Sequence, residues 1–341
     1  MTHENELTAD VDLCTPDGDR LNPAALGWSR RPLHRANLAG RFGSNKRWDY
    51  WAVLAGDLVV SSVYADIDHF GLADVWWADL TSGTSGGGGL VAAGNEGFDL
   101  PDRPGTSPLR IDRDGFALEI ADDEGGTRLR ASWTEPDGRP GQLDVFVALP
   151  PGHESLNVVI PWSDELFNYT SKHQARPASG TLAVGDRTWA IGGAGGDAWG
   201  VLDVGRGRWP AEITWNWGGG AGRSGDHVVG LQFGAEWTEG SGYTENGLLV
   251  DGRLTKLGNE LDWRYDRDEP LAPWRVVDPG GQLDVTLAPR YDKHTRLPGR
   301  DRGSETHQVF GTWWGRLRTD DGLELEVEGL QGFAEEAHQE W

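Results

Sequence analysis

The sequence predicts an all-β protein built as two tandem antiparallel β-barrels preceded by an N-terminal arm, and three observations carry that prediction. The first is composition: 18 Trp and 50 Gly stand against a single Met in 341 residues, and aromatic residues favour strands while glycine favours turns and bulges. The second is turn chemistry. Asp251-Gly252 splits GLLV from RLTKL, Gly125-Gly126 splits FALEIAD from TRLRASW, and Asp321-Gly322 splits WWGRLRT from LELEVE, each a short-hairpin signature. The third is an internal repeat. Trp51-Ala52-Val53 returns as Trp189-Ala190-Ile191 and Ala73–Trp77 as Ala211–Trp215, both at a step of 138 residues, and Gly141–Val145 returns as Gly281–Val285 at a step of 140.

Taken in order, residues 1–35 contain Pro16, Pro23 and Pro32 and no clear period, which predicts an arm draped over a barrel. Residues 36–167 form the expected first barrel, 168–180, with Pro177, the connection, and 181–341 the second barrel. Within the second, Leu323, Leu325 and Val327 alternate with Glu324, Glu326 and Glu328, a half-buried strand with a wet face. The tail AEEAHQEW is expected to form a short helix. Closure into barrels follows from the need to remove exposed sheet edges.

Charge narrows the partners. A net charge of −23 argues against nucleic acid and anionic membrane surfaces, both of which attract cations. Cys14 is the only cysteine, so no internal disulfide is expected. The start MTHENELTADVDL has no apolar signal core and no run of about 18 apolar residues occurs, which makes a cytoplasmic protein without membrane insertion the expectation.

Side chains alternate along a strand. In GRFGSNKRWDYWAVL (Gly40–Leu54), Arg47, Asp49, Trp51 and Val53 share one face. The repeat matches Trp51 and Val53 with Trp189 and Ile191, so this face is taken as the inner one, with Arg47 and Asp49 inward near a barrel end. The same comparison turns Val75, Trp77 and Asp79 inward, with Ile213, Trp215 and Trp217 as counterparts. A buried carboxylate needs a partner, and Arg47 is the expected one for Asp49 and Asp79. Two readings stand: an ion pair that closes the barrel, or a polar site in its lumen. On the next strand Val59, Ser61, Val63, Ala65 and Ile67 form the apolar face. Late in the chain His307, Val309, Gly311 and Trp313 oppose Gln308, Phe310 and Trp314, and the pattern leaves open which set is inner.

Most motif matches fail on context. Gly83-Thr84-Ser85-Gly86-Gly87 fits G-x-S-x-G inside a glycine run without the strand–turn–helix that a nucleophile elbow needs. GGAGGDAWG (Gly192–Gly200) opens no helix. Nine scattered histidines and a lone cysteine predict no metal site. Glu245-Asn246 reads as turn chemistry, with an inward carboxylate as the alternative. Thr170, Lys172 and His173 in FNYTSKHQ read as holding the junction of the halves, with binding of an anionic group as the alternative.

GWSRRPL (Gly27–Leu33), KRWDYWAV (Lys46–Val53), YTSKHQARPASG (Tyr169–Gly180), RWPAEITWNW (Arg208–Trp217), TENGLLVDG (Thr244–Gly252) and HQVFG (His307–Gly311) together resemble an uncharacterised bacterial family of unknown function. More distantly, the tandem plan is similar to the lipocalin-like barrels of the carotenoid 1,2-hydratase, tocopherol cyclase and barrel-type Diels–Alderase group. That resemblance implies a hydrophobic small-molecule ligand, isoprenoid- or polyketide-like, and acid catalysis without a metal or cofactor.

Three functions follow. The first is a hydratase, cyclase or isomerase in which Asp49 or Asp79 is the acid, Arg47 tunes it and Trp51 and Trp77 form walls. Trp215, Trp217, Lys172 and His173 are its further substrate contacts. Burial raises a carboxyl pKa and keeps it a proton donor. The second is a non-catalytic lipid carrier, since barrels of this size hold one small ligand. The third is a carbohydrate-active or carbohydrate-binding protein using tryptophan platforms.

Overall fold

The structure, a computed structural model, describes residues 3–297 and 303–340. Among the described residues its regular secondary structure is strand apart from two one-turn 3-10 segments, Pro23–Ala25 and Gly193–Gly195. Two curled antiparallel sheets hold the chain. The main path of the first runs, edge to edge, 84–93, 70–79, 58–66, 45–55, 199–208, 167–184, 140–148, 126–134, 116–123 and 109–113. The second runs 253–257, 246–250, 227–235, 212–224, 324–340, 304–318, 283–297, 274–277 and 262–264. The three predicted turn pairs all lie at hairpin connections.

Each sheet curls around its own core. Trp51, Val53, Val75, Trp77, Leu118, Leu129 and Val145 belong to the first, and Val229, Leu231, Phe233, Trp274, Val285, Val309 and Trp313 to the second. The inner-face assignment of Trp51, Val53, Val75 and Trp77 therefore agrees with the packing. The curled first sheet is drawn together by an acid that the sequence reading did not single out. The Glu135 carboxyl accepts from the indole nitrogens of Trp77 and Trp133 at 2.7 and 2.9 Å and from the Gly87 amide at 3.0 Å. The glycine run lies in the strand Thr84–Ala93. A Cβ on Gly86 would stand 2.3 Å from Glu135 and one on Gly88 2.8 Å from Trp133, so the run permits the close approach of this edge rather than building a nucleophile elbow.

Three expectations are corrected. Residues 168–180 are not a connection: they lie in the 18-residue strand Phe167–Val184, which is central to the first sheet and buried along most of its length. The sheets are joined instead by the short step from Arg208 to Glu212. The tail 334–340 is strand, paired with both 212–224 and 304–318, because Phe333, Ala334 and Ala337 must be buried between those neighbours. The repeat at step 138 does not map onto equivalent strands. Trp51 is on a long central strand and Trp189 on a five-residue strand of the same sheet, while Trp77 and Trp215 hold different places in their sheets. The GQLDV pair does fall on matching strands, 140–148 and 283–297.

The strand Asn45–Ala55 shows why the sheets meet where they do. Its odd positions, Trp51 and Val53, enter the first core. Its even positions, Tyr50, Ala52 and Leu54, pack with Trp217, Phe310 and Phe333 of the second sheet. A strand apolar on both faces is covered on both, as in sheets buried on two sides. The arm packs Leu13, Cys14, Leu21 and Ala25 against Val159, Phe167 and Tyr169, and its buried Glu4 reaches Lys256 at 2.6 Å.

Candidate functional site: a cleft between the sheets

A cavity of about 370 Å³ opens between the two sheets rather than inside either. The even face of Asn45–Ala55 supplies Trp48 and Tyr50, the neighbouring strands supply Val63, Ala65 and Leu72, and the turn between those strands supplies Ile67. The strand 167–184 contributes Asn168, Thr170 and Lys172 through its alternation. The second sheet adds Trp215, Trp217, Lys293, Gln308 and Glu335, and the loops add Trp209, Trp237 and Glu245. Clefts between packed units are frequent ligand sites, and apolar walls with a few polar groups are their usual make-up.

The indoles form one continuous wall. Trp209 and Trp237 stack at 5.5 Å and 11°, and Trp48 and Trp215 meet Trp209 edge-on at 5.3 and 5.8 Å. Two of them hold carboxyl groups. Trp215 Nε1 donates to Glu335 Oε1 at 2.7 Å, and Trp237 Nε1 donates to Glu245 Oε1 at 2.8 Å. Gly234 makes room for the latter, since a Cβ there would stand 2.0 Å from Glu245 Oε1.

Lys172 lies between two acids, 2.9 Å from Asp203 Oδ1 and 3.1 Å from Glu245 Oε2, and 4.5 Å above the Trp217 ring. Burial works against its cation, but the two carboxylates outweigh that and hold its pKa above the ordinary lysine value. One cation facing two carboxylates leaves a net negative charge, and burial penalises it. Accordingly Glu245 is pushed up to about 7 by burial, with Asp203 adding to the rise and Lys172 opposing it. Glu335 is likewise pushed up to about 7, again first by burial. The Trp215 indole holds Glu335 by Oε1, and Lys293 and Lys172 oppose the rise. At the other end Tyr50 donates to Gln308 Oε1 at 3.3 Å, and Lys293 lies 4.6 Å above the Trp76 ring.

The residues expected to form the site separate into two groups. Lys172, Trp215 and Trp217 line the cleft. Asp49 does not: it is buried against Arg206 Nη2 at 2.7 Å, and Arg206 is itself fully buried. The expected partner Arg47 turns away, to Asp102 Oδ1 at 3.3 Å and the Leu100 carbonyl at 3.2 Å. Arg206 displaces it because its own strand, 199–208, runs beside Asp49. Asp79 ends its strand and accepts from the Thr81 and Ser82 amides at 3.1 Å, with Arg187 at 3.3 Å. Those amide hydrogen bonds lower its pKa, so it is no proton donor at neutral pH. Trp51 and Trp77 are core residues. His173 takes the opposite face from Lys172, beside Ser171 Oγ at 3.1 Å, and burial drives its pKa well down.

Sequence reasoning missed Glu335 and Asp203 and read Glu245 as turn chemistry. A signal for Glu245 was present: every segment of the family resemblance except GWSRRPL sends a side chain into this cleft, with Glu245 as the contribution of TENGLLVDG. Trp28 of GWSRRPL packs with Trp209 and Trp237 behind the indole wall.

Among solved structures the chain is similar to an AttH-like protein from Nitrosomonas europaea, with a TM-score of 0.53 and 12% identity over 89% of this chain and 95% of that one. It is also similar to CghA (0.48, 13%, 89% and 90%) and to kievitone hydratase from Nectria haematococca (0.45, 10%, 87% and 89%). At such identities the first likeness speaks for the fold alone, and the other two add nothing to it. No curated protein matches the chain in sequence. The family model of the domain of unknown function DUF2804 matches residues 4–341, and the chain belongs to that family.

Proposed function

We propose that the cleft binds a hydrophobic small molecule and that Glu335 donates a proton to it, in a hydration, cyclisation or isomerisation. The observation that carries this reading is the state of Glu335. It is a buried carboxyl that burial pushes up to about 7, with Oε1 held by the Trp215 indole, on the wall of an apolar cavity. A general acid is most effective when its pKa lies near the working pH. The Lys172–Asp203–Glu245 cluster supplies the local field, and the indole faces of Trp209 and Trp217 stabilise a cationic species in the substrate. The acid therefore differs from the aspartates expected from sequence, and its place is the cleft rather than a barrel lumen.

The test begins with native mass spectrometry of freshly purified protein, to identify any retained apolar ligand. Wild type and Glu335→Gln are then incubated with that compound. Conversion by wild type, with binding but at least about 100-fold slower conversion by the variant, supports the proposal. A retained compound that wild type never changes supports a carrier instead. Failure of either protein to bind an apolar ligand would remove the cleft from consideration.

A further inference from the structure

We propose that His294, Glu305 and His307 form a binding site for a divalent transition-metal ion of the zinc class, with Asp292 orienting one of the ligands. The strands Leu283–Leu297 and Ser304–Arg318 pair with His294 directly opposite His307. Glu305 lies two residues before His307, so all three side chains leave the same face of the hairpin. One donor atom from each lies within 4.8 Å of the others. His294 Nε2 is 2.8 Å from Glu305 Oε1, and His307 Nε2 is 3.9 Å from the same oxygen. The imidazole rings are parallel, 4.1 Å apart at 8°.

The second observation concerns His307. Its Nδ1 is 2.8 Å from Asp292 Oδ2, and both side chains are largely buried. A carboxylate on one ring nitrogen sets the tautomer and leaves the other nitrogen free to ligate, the arrangement found around metal-bound histidines. His227 provides the contrast: it also meets one carboxylate, Asp251 at 2.7 Å, but belongs to no such group among the described residues.

Two imidazoles and a carboxylate suit zinc, cobalt, nickel or copper better than magnesium or calcium, which prefer all-oxygen sets. The His294 and Glu305 side chains are 44% and 41% exposed, so an ion can enter and keep open positions for water. Val309, two residues beyond His307, lies in the second core, which puts the trio on the lumen-side face at the end of that barrel. The alternate residues Lys293, Thr295, Thr306 and Gln308 line the cleft. A bound ion would therefore clamp the two strands whose reverse side forms a cleft wall. His294 and His307, 13 residues apart, match no short metal-binding motif, and strand pairing is what brings them together.

The full chain, stripped with a chelator and dialysed, is titrated with Co²⁺ and followed by visible absorption and equilibrium dialysis, with Zn²⁺ as competitor. One Co²⁺ per chain is expected, with d–d bands showing nitrogen ligation, displaced by Zn²⁺. His294→Ala and His307→Ala should each weaken binding at least about 10-fold, and Asp292→Asn by about 10- to 100-fold. His227→Ala should leave binding unchanged. Circular dichroism of each variant verifies that the fold persists. Equal Co²⁺ affinity in the His294→Ala/His307→Ala double variant, or no specific binding by wild type at about 100 μM, would overturn the site. Unchanged affinity in Asp292→Asn would overturn the orienting role.

Discussion

The ammonium of Lys172 stands 3.1 Å from the carboxyl of Glu245, inside a cleft that neither sheet could form alone. Lys172 comes from the first sheet and Glu245 from the loop preceding a strand of the second, so the pair also reports that the two are correctly docked. Removing the cation leaves two acids in a low-dielectric site. Lys172→Met should therefore destabilise the protein by about 3–5 kcal/mol, the usual cost of breaking a buried pair. Lys172→Met/Glu245→Gln should recover part of that loss. Urea denaturation of the two variants measures both effects.

The titration of Glu335 gives a pH signature. Its folded pKa, about 7, exceeds the unfolded value near 4.5, so the folded state holds the extra proton between those values. Its contribution to stability is then greatest at low pH and declines as pH rises from about 4.5 through 7. Glu335→Gln should gain stability relative to wild type as pH rises across that window, by about 3 kcal/mol in total, and show no relative gain below about pH 4. The difference between the two proteins removes background effects such as buried His34. That ring's pKa is lowered by burial to about 4, and it costs stability in the opposite direction, as pH falls below 6.5. Denaturation curves from pH 4 to 9 check the sign.

Gly234 is a sensitive position although it bears no chemistry. A methyl group there would overlap the Glu245 carboxyl. Gly234→Ala should cost about 1–3 kcal/mol and displace Glu245 from Trp237 and Lys172. The fluorescence of Trp237 would report the displacement, and an unaltered pH dependence of that signal would contradict the tight seat described for Glu245.

Asp49 and Asp79 should behave differently from each other. Asp49→Asn leaves the fully buried Arg206 guanidinium without its counter-charge and should destabilise by about 3–5 kcal/mol. Asp79 lies at a turn beside the exposed Arg187, and Asp79→Asn should cost about 1 kcal/mol or less. Neither change should alter binding of an apolar ligand in the cleft, as followed by quenching of tryptophan emission.

Much of the architecture was readable from the chain. Alternation along Asn45–Ala55 and Phe70–Asp79 correctly put Trp51 and Trp77 on an inner face, because burial imposes a period of two on any strand with one core side. The same reasoning failed for the site. It takes Val59, Val63 and Ala65 as the apolar face of their strand, whereas Leu58, Val60 and Tyr64 enter the first core and Val63 and Ala65 line the cleft. Asn168–Gly180, with Pro177, reads as a connection between the halves. Its polar side chains Asn168, Thr170 and Lys172 are the ones that line the cavity, and a buried strand bearing polar side chains toward a cavity looks like a loop in one dimension.

The sequence by itself determined that the chain folds as curled antiparallel sheets with tryptophan-filled cores, since strand periodicity and turn chemistry are local properties. It also contained the segments that supply most of the cleft. Only the tertiary structure decided which carboxylate meets which cation, and hence which acids stay near neutral pH with a proton in hand. Burial and charge pairing depend on groups such as Asp49 and Arg206, or Lys172 and Glu245, that come together only when distant strands pair and the two sheets dock.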